Sequence, residues 1–549
     1  MSFVRILCGV ACLLLAGRAF GQQKPVCPRP VPGAIVRAPA ELRSLNGVLQ
    51  ADFSLRSAVD VYGLTDYCYL DREGAENPAL RVNPGDEVVL NLRNELPPDA
   101  TGSPAHVHAA GMSTNSCGHG PITATTTNLH FHGLSIPPVC HQDDVIHTMV
   151  QPGDPAFEYR MKIPANTPPG LYWYHPHPHG FSERQVIGGA SGPLIVEGIE
   201  RANPDVAGLP ERVLVLRDQL IGGLTEDEED PSRPSLDLSV NFVPVLFPLY
   251  KPPVMPVRPS QKEFWRVLNA AADTFFDLQL LYWPTPDTQI AQTMRVVALD
   301  GVPVGPAFAA AGRTSILLSP GSRVEFIMET PPPGMFAQFV TRRYNNGPLG
   351  DSDSYRVLAN LRSVTDAPEL PRLPAAPRPA ESRVFEDLIS LHPARHRQLY
   401  FSEESPDPLH PKKDISYFIT EEGAKPKVFD MNSTTPDITV RNGTVEDWTI
   451  ENRTTESHAF HIHQLHFQVL ERDGHPLKES ALRDTIELPY WDGKAAVYPS
   501  VKLRMDFRDP NIVGTFLYHC HILEHEDAGM MGSIEVRPAA KKTTRVSRR

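Results

Sequence analysis

The sequence predicts an all-β chain made of three similar β domains, and three observations carry that reading. Proline makes up 56 of 549 residues, about twice the ~5% of an average chain. With 37 Gly and no G-X-Y period, it reads as frequent turns between short strands. Leu80 to Leu96 (LRVNPGDEVVLNLRNEL) is a turn followed by an alternating strand. Ile438 to Thr454 (ITVRNGTVEDWTIENRT) has the same form, and Arg258 to Asn269 (RPSQKEFWRVLN) is a third copy between them. GLYWYHPH at 170 to 177 also matches GTFLYHCH at 514 to 521 at identical spacing, and each runs into a Gly-containing apolar segment (GPLIVE, GSIEV) that reads as a closing strand.

In chain order, residues 1–21 read as a secretory signal, with Arg5, an apolar run from Ile6 to Gly17 and small residues ending at Gly21. That run is too short to span a bilayer, and no later stretch reaches 18 apolar residues, so a secreted or periplasmic protein without a membrane span is expected. The first β domain is placed at 22–203, the second at 204–365, a Pro-rich linker (DAPELPRLPAAPRPAES) at 366–382, the third domain at 383–538 and a basic tail at 539–549. The net charge of −13 becomes −20 without Arg5, Arg18 and the tail's five basic residues, which argues against a nucleic-acid partner. Past the signal, Cys27, Cys68, Cys117, Cys140 and Cys520 remain. Four can form two disulfides, Cys27 with Cys68 and Cys117 with Cys140 being one of three pairings. Cys520, flanked by histidines, is the one marked for metal. Sequons at Asn432, Asn442 and Asn452 are candidate glycan acceptors in a eukaryotic host.

Histidine is distributed unevenly. Of 21, ten lie in His106 to His179, eleven in His392 to His525 and none between. H-x-H pairs should arise about 0.8 times by chance; six occur. On a strand, residues i and i+2 share a face, so each pair can aim two imidazoles at one point. The pairs His130/His132, His175/His177, His461/His463 and His519/His521 have strand-like flanks and supply eight imidazoles, enough for three metals. The same rule turns Cys520 away from His519 and His521, toward a different metal. His458, an odd interval before His461, falls on the Cys520 side, and His525 and Met530 follow in a short loop. Two His, one Cys and a weak axial Met are the ligand set of a blue-copper electron-transfer site. In the middle domain the positions equivalent to His458, His461 and His463 are Phe275, Leu278 and Leu280. It reads as a copy whose ligands became core, a spacer between the two ligand-bearing domains.

HFHG at 130 to 133, HPH at 175 to 177, HAFHIH at 458 to 463 and HCHILEHEDAGM at 519 to 530 resemble the four copper motifs of the multicopper oxidases, specifically bacterial laccase-like three-domain members. The resemblance covers nearly the whole mature chain, including RDTIEL at 483 to 488. It implies three cupredoxin-like Greek-key β-barrel or sandwich domains and four copper ions. His458, Cys520 and His525, with Met530 axial, would bind the type 1 copper, and His130 and His461 the type 2 copper. His132, His175 and His521 would hold one type 3 copper, and His177, His463 and His519 the other. Electrons from a small reducing substrate would enter near His458 or His525, and O2 would be reduced to two waters at the cluster. That reduction consumes protons, so buried carboxylates are required. Glu526 resembles the family's proton-relay glutamate, and Asp143 or Asp144 occupies the region of its cluster aspartate, with Asp143 the slight favourite.

The third motif has Ala459 where many members have Pro. His106/His108 reads as a solvated loop, His179 as a spare histidine, and His466, by strand parity, as packing near the type 1 site. A Met axial ligand implies a lower potential than Leu or Phe would. Phenols and aromatic amines are the first-ranked substrates. Oxidation of Cu(I), Fe(II) or Mn(II) is second, because the Met-rich insertion of Cu(I)-oxidising members is missing. A non-catalytic copper-binding protein is third, because it would need missing ligands.

Overall fold

The computed structural model describes residues 26–98, 116–118, 121–221, 234, 236–247, 250–375, 388–406, 415–477 and 481–539. The signal segment, His106/His108 and the tail past 539 lie outside them. Among the described residues, 36 strands stand against four short α-helices, and no helix is long and apolar enough to cross a membrane.

The repeated turn-and-strand segments fold alike. Ala79–Val82 turns into Glu87–Asn94, Val254–Val257 into Lys262–Asn269, and Ile438–Arg441 into Val445–Asn452. Each turn needs one residue at positive φ: Gly85 (92°), Ser260 (50°) and Gly443 (90°). Each long strand ends on an asparagine whose amide ties down the next loop: Asn94 donates to Thr125 O and Val150 O, Asn269 to Thr274 O and Leu318 O, Asn452 to Glu456 O and Pro489 O. In the last two copies a Glu-x-Trp pair adds a second device. The indole N–H of Trp265 donates to Glu263, which Arg212 also holds, and that of Trp448 donates to Glu446, which Arg397 holds.

The strands stack as three two-sheet sandwiches. In the N-terminal one, the sheet Glu41–Arg43, Ala79–Val82, Gly192–Val196, Gly170–His175, His130–His132 faces Thr65–Leu70, Val48–Val59, Glu87–Asn94, Phe157–Lys162. The C-terminal sandwich repeats that plan with Ile438–Arg441, Met531–Arg537, Gly514–Cys520, His458–Ile462, Thr485–Leu488. The segments read as closing strands thus lie beside the histidine strands they follow. Seven- and six-stranded sheets form the middle sandwich.

Three cores follow, around Phe53, Tyr69 and Tyr174, around Trp265, Phe326 and Phe339, and around Trp448, Phe460 and Tyr518. Each fully buried ring of this size is worth about 1.5–3 kcal/mol of transfer free energy. Leu278 and Leu280 are buried in the middle core, as expected of ligand positions turned apolar, whereas Phe275 crosses into the C-terminal core.

Smaller apolar seams join the sandwiches. Leu171, Trp173 and Ile195 meet Val213, Val215 and Leu268. Ile122, Val145 and Met149 meet Phe429, Leu517 and Met531, which docks the N-terminal sandwich on the C-terminal one. The segment assigned to a linker is partly packed: Arg372 bridges Pro210, and Leu373 is buried against the middle sandwich. Ile35 bridges Val254, so the chain's first described strand-like residues belong to the middle sandwich as well.

The disulfides are Cys27–Cys68 and Cys117–Cys140, and Cys520 is free and buried. Asn452 corrects one expectation. It is fully buried and its amide is bonded to three carbonyls, so that sequon accepts no glycan in the folded protein.

Candidate metal centre

Four short segments carry the histidines to the docking seam. His130 and His132 lie on one strand, which pairs with Gly170–His175 so that His130 faces His175. His461 faces His519 in the corresponding pair of the C-terminal sandwich. His177, His463 and His521 fall just past their strands. The eight rings close on one another across the seam: His130 stacks on His463 at 3.8 Å and His132 on His461 at 3.9 Å, while His175 lies 5.6 Å from His521 and His177 5.1 Å from His519.

Burial pushes the pKa of all eight well down, because an imidazolium there would be desolvated among its neighbours. Neutral imidazole is the form that ligates metal. Hydrogen bonds then select which nitrogen keeps its lone pair. Nδ1 of His130 is 3.1 Å from both Asp143 oxygens, Nδ1 of His175 donates to Pro176 O, Nδ1 of His461 to Asp484 O and Nδ1 of His519 to Cys520 O. His132 is reversed, with Nε2 3.1 Å from Asp484 Oδ1. The atoms left over, Nε2 of His130, His175 and His461 and Nδ1 of His132, are buried and without a hydrogen-bond partner. Nε2 of His519 meets Nε2 of His463 at 3.1 Å and of His177 at 3.4 Å. Facing lone pairs of neutral rings are unfavourable until a cation lies between them.

Cys520 sits on the other side of its strand. Its Sγ is 3.5 Å from His458 Nδ1 and 3.7 Å from His525 Nδ1, and those nitrogens are 3.1 Å apart. Burial pushes the thiol pKa up, so a thiolate here needs a cation in contact. Met530 is buried in the same core, its backbone bonded to Cys520 N and His525 O. These groups therefore suit soft or borderline metal: two imidazoles and a sulfur at one end, six or more imidazole nitrogens at the other.

Sequence profiles described as multicopper oxidase match residues 119–201 and 400–540, the two stretches that hold all these histidines, Cys520 and Met530. The chain is 24% identical over 470 residues to the multicopper oxidase mco of Staphylococcus haemolyticus, covering 84% of this chain and 81% of that one. It is 25% identical over 480 residues to a laccase of Haloferax volcanii, covering 83% and 75%. The solved multicopper oxidase of Campylobacter jejuni, described as a metallo-oxidase, superposes with a TM-score of 0.65 over 94% of this chain and 98% of its own, at 23% identity. The chain belongs to the multicopper oxidases. The enzyme is thus an oxidoreductase that uses copper, and its sandwiches are of the cupredoxin-like kind.

Besides Asp484 at His132, two carboxylates touch the oxidase's imidazole cluster. Asp143 accepts from Phe131 N at 2.9 Å and Gln464 Nε2 at 2.5 Å besides facing His130. Asp144 does not reach the cluster; its carboxylate binds His147 at 2.9 Å. Glu526, fully buried, lies 3.1 Å from His519 Nδ1 and 3.5 Å from His177 Nδ1, and desolvation holds it well above the usual carboxylate range. Strand parity misplaced His466. Gln464 takes φ of +60°, which breaks the strand, so His466 faces Asp300 O and Asp484 behind the cluster rather than Cys520. His179 packs edge-on against Phe429.

What sequence reasoning missed is the acid around His525. A cavity of about 80 Å3 is lined by Asp273, Asp351, Tyr417, Glu456, Glu524 and His525. Glu456 Oε1 is 3.2 Å from His525 Nε2, and Tyr417 stacks on the ring at 4.2 Å. Beneath it lies Glu183, raised from 4.5 to about 8 by burial and by Glu524, Asp527, Asp218 and Asp351. The unfolded chain releases this proton above about pH 4.5, the folded one only near 8, so the group's contribution to stability falls as pH rises between them. Glu183→Gln should therefore raise the melting temperature at pH 8 and leave it nearly unchanged at pH 5, a difference that calorimetry of the full chain would register.

Proposed function

We propose that the enzyme oxidises a small divalent cation, Fe(II) or Mn(II), one electron at a time at the His458/Cys520/His525 site, and passes the electrons to O2 at the eight-histidine cluster. The observation that carries this is the pocket against His525. Sites for organic ligands span about 300–1,000 Å3 and are mostly apolar, whereas this one is about 80 Å3 and four of its described wall residues are carboxylates. Carboxylate and water suit hard cations; no Met or Cys is among the described residues that line the pocket, to favour Cu(I). The Campylobacter jejuni protein is a metallo-oxidase, which agrees with this reading; the Haloferax volcanii relative is a laccase, and a phenol is the competing donor.

In this reading four coppers are bound. His458, Cys520, His525 and Met530 would hold one, His130 and His461 a second, His132, His175 and His521 a third, and His177, His463 and His519 the fourth. Bound copper supplies one-electron redox chemistry at the sulfur-ligated site and O2 reduction at the cluster. The chain's own groups do the rest. Asp273, Asp351 and Glu524 draw the cation in, Glu456 sits against His525 Nε2, and Cys520 links the two centres through its peptide bonds to His519 and His521. Four donor electrons and four protons convert O2 to two waters; Glu526 and Asp143, two of the acids in contact with cluster imidazoles, hold protons there.

Oxygen uptake with Fe(II), Mn(II), Cu(I) and a phenol decides between the readings. Turnover with Fe(II) or Mn(II) should exceed that with the phenol. Asp351→Asn should raise KM for the cation about tenfold, one missing charge contact of about 1.4 kcal/mol, and leave KM for the phenol unchanged. Faster turnover of the phenol, or equal effects of Asp351→Asn on both donors, would overturn the cation reading.

A further inference from the structure

The middle sandwich has no imidazole at the cluster, yet one of its side chains ends there. Arg323, on the strand Arg323–Glu329, is 0% exposed, and all five of its N–H donors are used. Two go to the two oxygens of Asp484, at 2.8 and 2.6 Å; the others go to Gly321 O, Asp300 O and Leu171 O. Asp484, also 0% exposed, is the group that faces His132 Nε2 through Oδ1 and accepts from His461 Nδ1 through its backbone carbonyl. Thr485 Oγ1 closes the arrangement, donating to Asp484 Oδ1 and lying 3.2 Å from His461 Nδ1. Asp300, from the middle sandwich like Arg323, accepts from Arg323 N and approaches Asp484 N.

The close approach shows in the glycines. A Cβ on Gly133, the residue after HFH, would lie 2.5 Å from Arg323 Nη2 and 2.7 Å from Asp484 Oδ2; one on Gly321 would lie 2.8 Å from the His521 ring. Both residues have positive φ. The final Gly of HFHG is therefore needed to admit a guanidinium from another sandwich.

We propose that Arg323 is a positioning residue for the copper cluster. By holding Asp484 as a bidentate carboxylate it fixes His132 in the tautomer that turns Nδ1 inward and His461 in the one that turns Nε2 inward. One residue thus sets one ligand from each terminal sandwich, His132 by its carboxylate and His461 by its peptide carbonyl, and the middle sandwich is a clamp rather than a spacer. Without Arg323, Asp484 loses its two strongest partners and the two rings lose their shared anchor. Such outer partners of a ligating histidine are typically worth about 10–100-fold in metal affinity. The inference rests on the ligand reading given above.

The test uses the full chain loaded with copper, comparing Arg323→Gln, Arg323→Lys and Asp484→Asn with the parent. Copper bound per chain and the blue thiolate absorption are measured together. The blue absorption should stay at the parental level per folded chain, while copper bound at the cluster weakens about 10–100-fold, less so in Arg323→Lys, which keeps one charged bond to Asp484. If copper and blue absorption fall in the same proportion, the residue is merely structural and the proposal fails; it fails equally if all three variants bind copper as the parent does. Should Arg323→Gln not fold, the isosteric Asp484→Asn is judged by the same ratio. His132→Asn serves as reference: if it leaves bound copper unchanged, the ligand reading itself is wrong, independently of Arg323.

Discussion

Cys520→Ser should abolish the blue absorption and bring oxygen uptake down to the uncatalysed background with every donor, cation or phenol. Cys520 is the free sulfur among the described cysteines, and it alone stands between His458 and His525 on one side and, through its neighbours His519 and His521, the cluster on the other. Serine is nearly isosteric but a poor ligand for a soft metal, so the charge-transfer colour and the electron path disappear together. The fold should survive: a buried hydroxyl costs about 1–3 kcal/mol if unpaired, and two imidazole nitrogens are in reach to pair with it. Copper at the cluster should remain, because none of its eight imidazoles is touched. Spectra, metal content and oxygen uptake of one preparation check all three. Retained donor oxidation in a colourless, folded variant would contradict the electron-accepting role of this site.

Glu526→Gln should leave colour and copper content intact and slow oxygen reduction by about 10²–10⁴-fold, the usual worth of a placed proton donor. Glu526 is 0% exposed, its acid form favoured by desolvation and by Asp527, and it stands against the Nδ1 edges of His519 and His177, the sides turned away from the Nε2 atoms that meet each other. It can therefore deliver a proton beside the cluster without competing for metal. Glutamine keeps the volume and the hydrogen-bonding capacity but has no acidic proton. Reoxidation of the fully reduced enzyme by O2, followed by stopped-flow absorption, isolates this step from substrate oxidation. An unaltered reoxidation rate would remove Glu526 from the proton path, and a loss of colour or copper would recast it as a structural group.

The chemistry was legible wherever a rule of local geometry applied. Strand alternation separates Cys520 from His519 and His521 and joins it to His458, and the structure brings those groups together on the two faces anticipated. Repetition of the turn-and-strand segment locates the three sandwiches without any long-range information. The same alternation fails at His466 because Gln464 turns the chain, and a single residue at positive φ is invisible to a periodicity argument. It cannot choose between Asp143 and Asp144 either, since adjacent residues in a turn diverge according to the loop's own path. Arg323 and the acids around His525 were illegible for another reason. Asp273, Asp351, Glu456 and Glu524 are scattered over 251 positions and meet only because the middle and C-terminal sandwiches dock. The histidine gap in the middle of the chain pointed to a domain emptied of imidazole, and nothing in that composition marks a buried arginine that holds Asp484 against His132.

The ring stacking across the seam has a consequence for symmetry. The first histidine of one H-x-H pair, His130, lies on the second of the other, His463, while the second, His132, lies on the first, His461. That reciprocity is the mark of an isologous contact, as between the halves of a two-fold dimer. Exchanging each residue for its counterpart (130 with 461, 132 with 463, 175 with 519, 177 with 521) turns the triad His177, His463, His519 into His521, His132, His175 and leaves the pair His130, His461 in place. The proposed three-metal ligand set thus obeys a pseudo-dyad through the paired site. Two identical single sandwiches meeting face to face in this way would already possess all eight imidazoles.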